Sequence, residues 1–274
     1  MTSPSSPRFS RRALVSAAFT LGATVLYAPA ASATSSRDTP RSLSGSTLPE
    51  IFDCTSWGAR AASDSVVVLA ARPTRIIVHH AVTTNSSDYS RNRAHQLARA
   101  IQSNHMDLKG WIDTGQHFTI SRGGFVLEGR HRSLAALNSG NQLVRAAHCV
   151  GQNNIALGIE TEGTYMTHEP PERQFSALAD LCAHACHQYG IAASDIYGHR
   201  DFVRTACPGN ALYAMLSKLR NDVAARLDGK TPGAAVPRSS RQGNPAIRAR
   251  HHWTHPDTTR KIWMNEKFDP YRVL

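Results

Sequence analysis

Residues 198–209, GHRDFVRTACPG, constrain the fold of this chain more than any other feature. His199 and Cys207 stand eight apart, and the Cys-Pro-Gly reads as the end of a loop and the start of a helix. A thiolate at a helix start is stabilised by the free backbone N–H groups there, which favours cysteine as a metal ligand. A catalytic zinc takes three protein ligands and leaves one position for water. The loop supplies two of them. A remote element must therefore end beside this loop and bring the third.

The donor for that position is residues 75–80, RIIVHH, a β-branched run that reads as a buried strand ending in two histidines. Side chains alternate across a strand, so only one of His79 and His80 can reach a given site. A lone strand histidine is ordinarily structural; the His199/Cys207 pair turns the reading toward a ligand, and a mixed His/His/Cys set suits zinc. Around this strand, residues 89–106 place Ala94, Leu97, Ala98, Ile101 and His105 at helical spacing. Residues 117–130 read as two strands joined at Arg122-Gly123-Gly124, and residues 155–160 as another short strand. Pro171 opens a helix with Phe175, Leu178, Cys182, Ala185/Cys186 and Tyr189 on one face. Pro208 opens a last helix with Leu212, Met215, Leu216, Leu219 and Val223 on its face. The expected fold class is α/β, a single domain with a central mixed β-sheet flanked by helices.

A length of 274 residues with 41% apolar content can bury one ordinary core. The net charge of +11 is uneven: residues 1–33 hold three arginines and no acid, and residues 231–274 hold eight Arg or Lys against three Asp or Glu. The middle is left at +3. That balance supplies neither the basic face nor the module that nucleic-acid binding needs. Residues 1–33 read as an export signal, with Arg11-Arg12 before an apolar run and Ala31-Ser32-Ala33 as a cleavage site. The paired arginines suit the twin-arginine route, and an ordinary secretory signal has the same elements. No later stretch is apolar enough for a membrane span. Residues 34–50 read as a linker, 51–228 as the folded domain, and 229–274 as a basic, disordered tail. The tail either lies on anionic wall polymers or is a solvated segment without a partner. Five cysteines in an exported chain leave one over once two disulfides form. Cys182 and Cys186, one helical turn apart, are expected to pair with Cys54 and Cys149 in one of two connectivities, in preference to forming a second metal site with His184 and His187.

The segments IIVHHAV, GQHFTISRGGFVLEGRH, NNIALGIETEGT and YGHRDFVRTACPG, in that order, resemble the type-2 N-acetylmuramoyl-L-alanine amidase family, which includes the peptidoglycan recognition proteins. The resemblance implies an amidase-like domain over residues 51–228, with zinc on His79, His199 and Cys207 and a catalytic Glu160; Glu162 is the competitor for that role. It implies substrate contacts at Gln116, Arg130, His148, Asn153 and Thr205, with Arg130 equally suited to a structural ion pair. Gln116 stands where active relatives carry a tyrosine, and Thr205 where some carry a lysine. The implied reaction is zinc-dependent hydrolysis of the amide joining N-acetylmuramic acid to L-alanine in peptidoglycan. Non-catalytic recognition of muropeptides is the alternative, and the retained Cys207 favours catalysis. A secreted, wall-associated monomer is the corresponding expectation.

Overall fold

The computed structural model describes residues 49–229. The expected export signal (residues 1–33), the expected linker up to residue 48 and the expected tail beyond Gly229 lie outside the described residues. The described residues form eight short strands: β1 (Ile51–Phe52), β2 (Val68–Leu69), β3 (Arg75–His80), β4 (Phe118–Ile120), β5 (Val126–Glu128), β6 (Leu143–Val144), β7 (Ala156–Thr161) and β8 (Ile196–Gly198). Six of them form a mixed sheet in the order β1-β5-β4-β7-β3-β8, in which only β4 and β5 run antiparallel. The turn between those two is the one expected at 122–124, where Gly124 adopts φ +87, the left-handed region that costs glycine least. β2 and β6 form a separate antiparallel pair.

Strand alternation divides the chemistry from the core. Ile76 and Val78 of β3, Leu157 and Ile159 of β7, and Phe118 and Ile120 of β4 all enter the main apolar cluster. The helix α2 (Ser133–Ser139) adds Leu137 to that cluster, and the helices α3 (Glu172–Tyr189) and α5 (Leu216–Leu227) cover that face with Phe175, Leu178, Cys182, Leu219 and Val223. The intervening residues Ile77, His79, Gly158, Glu160 and Thr119 therefore belong to the other face. Register places His79 opposite Glu160, and Thr119 on the far side of Glu160, in one row across three strands. The helix α1 (Arg91–Ser103) covers the β1/β5 edge of this second face, where Ala94 and Ala98 pack on Trp57 and Leu127. Ser90 caps α1 by accepting the Arg93 amide at 3.1 Å. A short π-helical turn, Asn104–Leu108, continues α1.

The disulfide expectation is overturned. All five cysteines are free and buried. Cys182 and Cys186 lie in the main cluster on the α3 side of the sheet. Cys54 packs with Trp57, and Cys149 with Ile77 and Ala156, on the opposite side. The sheet stands between the expected partners, whereas a disulfide needs Cα atoms within about 7 Å. Among the described residues no three-donor metal cluster includes Cys182 or Cys186.

The helix expected from Pro208 is also different. It is two helices, α4 (Asn210–Ala214) and α5, broken at Met215, whose amide bonds Leu212 O in a tightened turn. The Ala211 amide is held by the Tyr165 carbonyl at 3.0 Å, while α5 runs along α3, so the two pieces answer to different neighbours.

Candidate metal centre

His79 is the penultimate residue of β3 and is 6% exposed. His199 begins the short turn after β8, and Cys207 closes the loop that follows. One ligand atom from each of His79, His199 and Cys207 lies within 4.8 Å of the others, and this is the only such cluster among the described residues. His79 Nδ1 is 3.7 Å from Cys207 Sγ. Bonds of about 2.3 Å to sulfur and about 2.0 Å to nitrogen at a tetrahedral angle put two ligand atoms roughly 3.5 Å apart, so this spacing fits a shared zinc. The neighbouring His80 faces the α3 side, where its Nδ1 accepts the Tyr165 amide at 3.2 Å. The alternation that left one of the two histidines for the site thus selects His79.

The 198–209 loop is closed by a residue the sequence reading passed over. The Arg200 amide donates to the Cys207 carbonyl at 3.1 Å, and its guanidinium bonds the Cys207 and Ala206 carbonyls and Asn210 Oδ1. The guanidinium lies 4.7 Å over the Tyr213 ring. Asp201 accepts the Gly198 amide at 2.9 Å and the Tyr213 hydroxyl. No local pattern marks an arginine for carbonyls six and seven residues away.

Cys207 precedes the five-residue α4 by three positions, and its sulfur accepts the His80 amide at 3.4 Å. The helix-start reading of its stabilisation is therefore replaced by one strand amide, and burial pushes the metal-free thiol up.

Glu160 sits beside His79. Its Oε2 is buried without a hydrogen-bond partner, and burial raises the carboxyl to about 7, with the Lys109 charge pulling the other way. Glu162, the competitor, is fully buried in a structural role: it accepts the Arg122 amide at 2.8 Å and pairs with Arg93 at 3.4 Å. That difference favours Glu160 as the chemical carboxylate.

The other five candidates divide. The Gln116 amide donates to Thr119 Oγ1 at 2.8 Å, in the row that holds Glu160. His148 Nδ1 is 3.0 Å from His79 Nε2. Thr205 Oγ1 accepts the Cys207 amide at 3.2 Å. Arg130 is buried and its Nε donates to the Thr114 carbonyl at 2.8 Å. Asn153 spends its side-chain oxygen on the Cys149 amide at 2.9 Å. The first three thus adjoin the cluster or its row, and the last two brace the loops around it.

Burial holds a group of imidazoles neutral. His80, His117 and His199 are lowered to about 4 and His105 to about 3, while His79 and His148 fall well below 6.5, with neighbouring imidazoles adding to the effect. A histidine with a depressed folded pKa contributes stability that is fully present above 6.5 and is lost as the pH falls toward the folded value. The metal-free chain is expected to melt at progressively lower temperature as the pH drops from about 6.5 to about 4. A flat melting profile across that window would contradict the neutral assignment.

The fold and cluster define a class: α/β domains that bring a His/His/Cys donor cluster together at the end of a parallel strand pair. The chain belongs to the N-acetylmuramoyl-L-alanine amidase family (Amidase_2), whose model matches residues 69–210, just over half of its length. It is similar to the human N-acetylmuramoyl-L-alanine amidase, 30% identical over 172 residues, which is 61% of this chain and 28% of that protein. The chain thus spans under a third of that relative's length. It is similar to peptidoglycan-recognition protein SC2 of Drosophila simulans, 31% identical over 160 residues, covering 57% of this chain and 79% of that one. A solved complex of peptidoglycan recognition proteins LCa and LCx with tracheal cytotoxin matches with TM-score 0.53 and 28% identity, over 61% of this chain and 95% of its counterpart.

Proposed function

We propose that this chain is a zinc-dependent amidase that cleaves the bond between the lactyl carbonyl of N-acetylmuramic acid and L-alanine in peptidoglycan. The observation that carries the reading is the convergence of the His79, His199 and Cys207 donors beside the unpartnered Glu160 Oε2. Family membership and the cytotoxin-bound relative support the substrate class.

His79, His199 and Cys207 would hold the zinc. When bound, zinc supplies Lewis acidity, bringing the ionisation of water from about 15.7 down to about 7 and polarising a carbonyl. Glu160 takes the proton of the attacking water and returns it to the alanine nitrogen as the C–N bond breaks, so the lactyl carboxylate gains one oxygen and the peptide leaves as an amine. A carboxyl group that burial holds near neutrality is suited to both transfers. Gln116, engaged with Thr119, offers a donor for the substrate carbonyl and no proton. Thr205 fixes the ligand cysteine's backbone.

The same reading places the protein outside the cell, exported through residues 1–33 and held near the wall by its basic tail. Among the described residues no helix is long and apolar enough to cross a membrane.

Hydrolysis of a soluble muropeptide in oxygen-18 water tests the bond. The label is expected in the lactyl carboxylate of the sugar product, alongside a free L-alanine amine. Tight binding of intact muropeptide without label uptake would instead make the chain a recognition module, the reading that Gln116 in place of a tyrosine favours.

A further inference from the structure

We propose that His148 is a positioning residue that fixes the tautomer of His79, leaving His79 Nδ1 without a proton and aimed at the metal cluster. The inference rests on the zinc reading for its consequence and on geometry for its content.

Three contacts in series carry it. His148 Nε2 lies 3.3 Å from the Ala156 carbonyl oxygen, which can only accept. In a neutral imidazole the proton on Nε2 leaves Nδ1 as the acceptor. That Nδ1 lies 3.0 Å from His79 Nε2, so His79 Nε2 is the donor. His79 Nδ1 is then the bare nitrogen, and it faces Cys207 Sγ at 3.7 Å. The two rings stand at 84° with centroids 5.0 Å apart, an edge approach that suits an in-plane hydrogen bond. A second hydrogen bond of this kind fixes both the tautomer and the orientation of a metal-binding imidazole.

The strand is built to admit this ring. A Cβ at Gly158 would stand 2.5 Å from His148 Cγ and Cδ2 and 2.8 Å from Nδ1. Gly158 is in the middle of β7, on the same face as Glu160, where a glycine otherwise weakens a strand. Its place here is explained by the imidazole that lies against it. His117 completes the seat: its Nδ1 accepts the Gly158 amide at 2.9 Å, its Nε2 donates to the Val144 carbonyl at 2.8 Å, and its ring meets His148 at 5.6 Å.

Two readouts test the proposal separately from activity. In the metal-free full chain, nitrogen-15 shifts of the imidazoles are expected to report His79 protonated on Nε2. His148→Ala is expected to turn this into a mixture, and His148→Asn, whose side-chain oxygen can accept where Nδ1 did, to restore it. Zinc affinity, measured by competition with a chromogenic chelator, is expected to fall about 10–100-fold in His148→Ala and to recover in His148→Asn. Gly158→Ala is expected to weaken zinc binding to a similar degree by displacing the ring. The double variant His148→Ala/Gly158→Ala is expected to bind zinc no more weakly than His148→Ala alone. A His79 protonated on Nδ1 in the wild-type chain overturns the proposal, as does zinc affinity unchanged in His148→Ala. The expected tautomers in a chain that binds no zinc would leave the positioning role standing and sink the amidase reading.

Discussion

Cys207→Ser is expected to strip the protein of zinc and of hydrolytic activity together while leaving the fold intact. A serine hydroxyl does not ionise near neutral pH, so the site loses its only anionic donor. Apparent binding energies of about 10–16 kcal/mol for four-ligand zinc sites assign each ligand roughly 3–4 kcal/mol, so affinity should drop on the order of 10²–10³-fold. The change is nearly isosteric. Cys207 belongs to none of the apolar clusters that hold the sheet to its helices, so the melting temperature of the metal-free form should move little. Because burial keeps the metal-free thiol protonated, zinc uptake by the wild-type chain must release its proton, and wild-type affinity should weaken as the pH falls. Metal analysis after dialysis, paired with a thermal melt, checks both parts. A serine variant that keeps wild-type metal content removes Cys207 from the ligand set.

Glu160→Gln is expected to do the reverse, keeping zinc and losing turnover. Removing a positioned general base costs about 10²–10⁴-fold in rate. Gln cannot accept the water proton, while its shape fits the same place on β7 opposite His79. The variant also carries a stability signature. Burial raises the folded carboxyl to about 7 from 4.5, so in the metal-free chain the folded state retains a proton that the unfolded state releases. That contribution is present below pH 4.5 and is lost as the pH rises through 7. Metal-free Glu160→Gln should therefore be more stable than wild type above pH 7, and the difference should narrow on acidification. Full activity in this variant would transfer the base role elsewhere, and Glu162 is poorly placed to receive it because its carboxylate is committed to Arg93 and the Arg122 amide.

What could be read ahead of the structure follows the reach of each signal. The β-branched run at residues 75–80 and the apolar stripe at 175–189 are local; they became the buried strand β3 and the helix α3, with the expected stripe of α3 buried. The convergence of His79 with the 198–209 loop was legible because a zinc site must be completed from somewhere and one strand ended in histidines. The cysteine pairing was not legible. Parity and export say that cysteines pair, but they do not say that a sheet separates Cys182 and Cys186 from Cys54 and Cys149. The different settings of Glu160 and Glu162 depend on where β7 stops, at Thr161, and no residue type announces that end. Arg200 was missed because its partners are backbone carbonyls, which every sequence has. Gly158 did carry a signal, a glycine inside an apolar strand that marks a close approach, and only the structure names the approaching group as His148.

The most direct test of the account is a zinc titration of the full chain, stripped of metal and incubated with purified sacculi. Release of stem peptides bearing N-terminal L-alanine is followed by mass spectrometry. No release is expected without metal; release rises with zinc and levels off at one ion per chain, and it does not rise in Cys207→Ser. Undiminished release from the metal-free chain, or muropeptides retained intact on zinc-loaded protein, would contradict it.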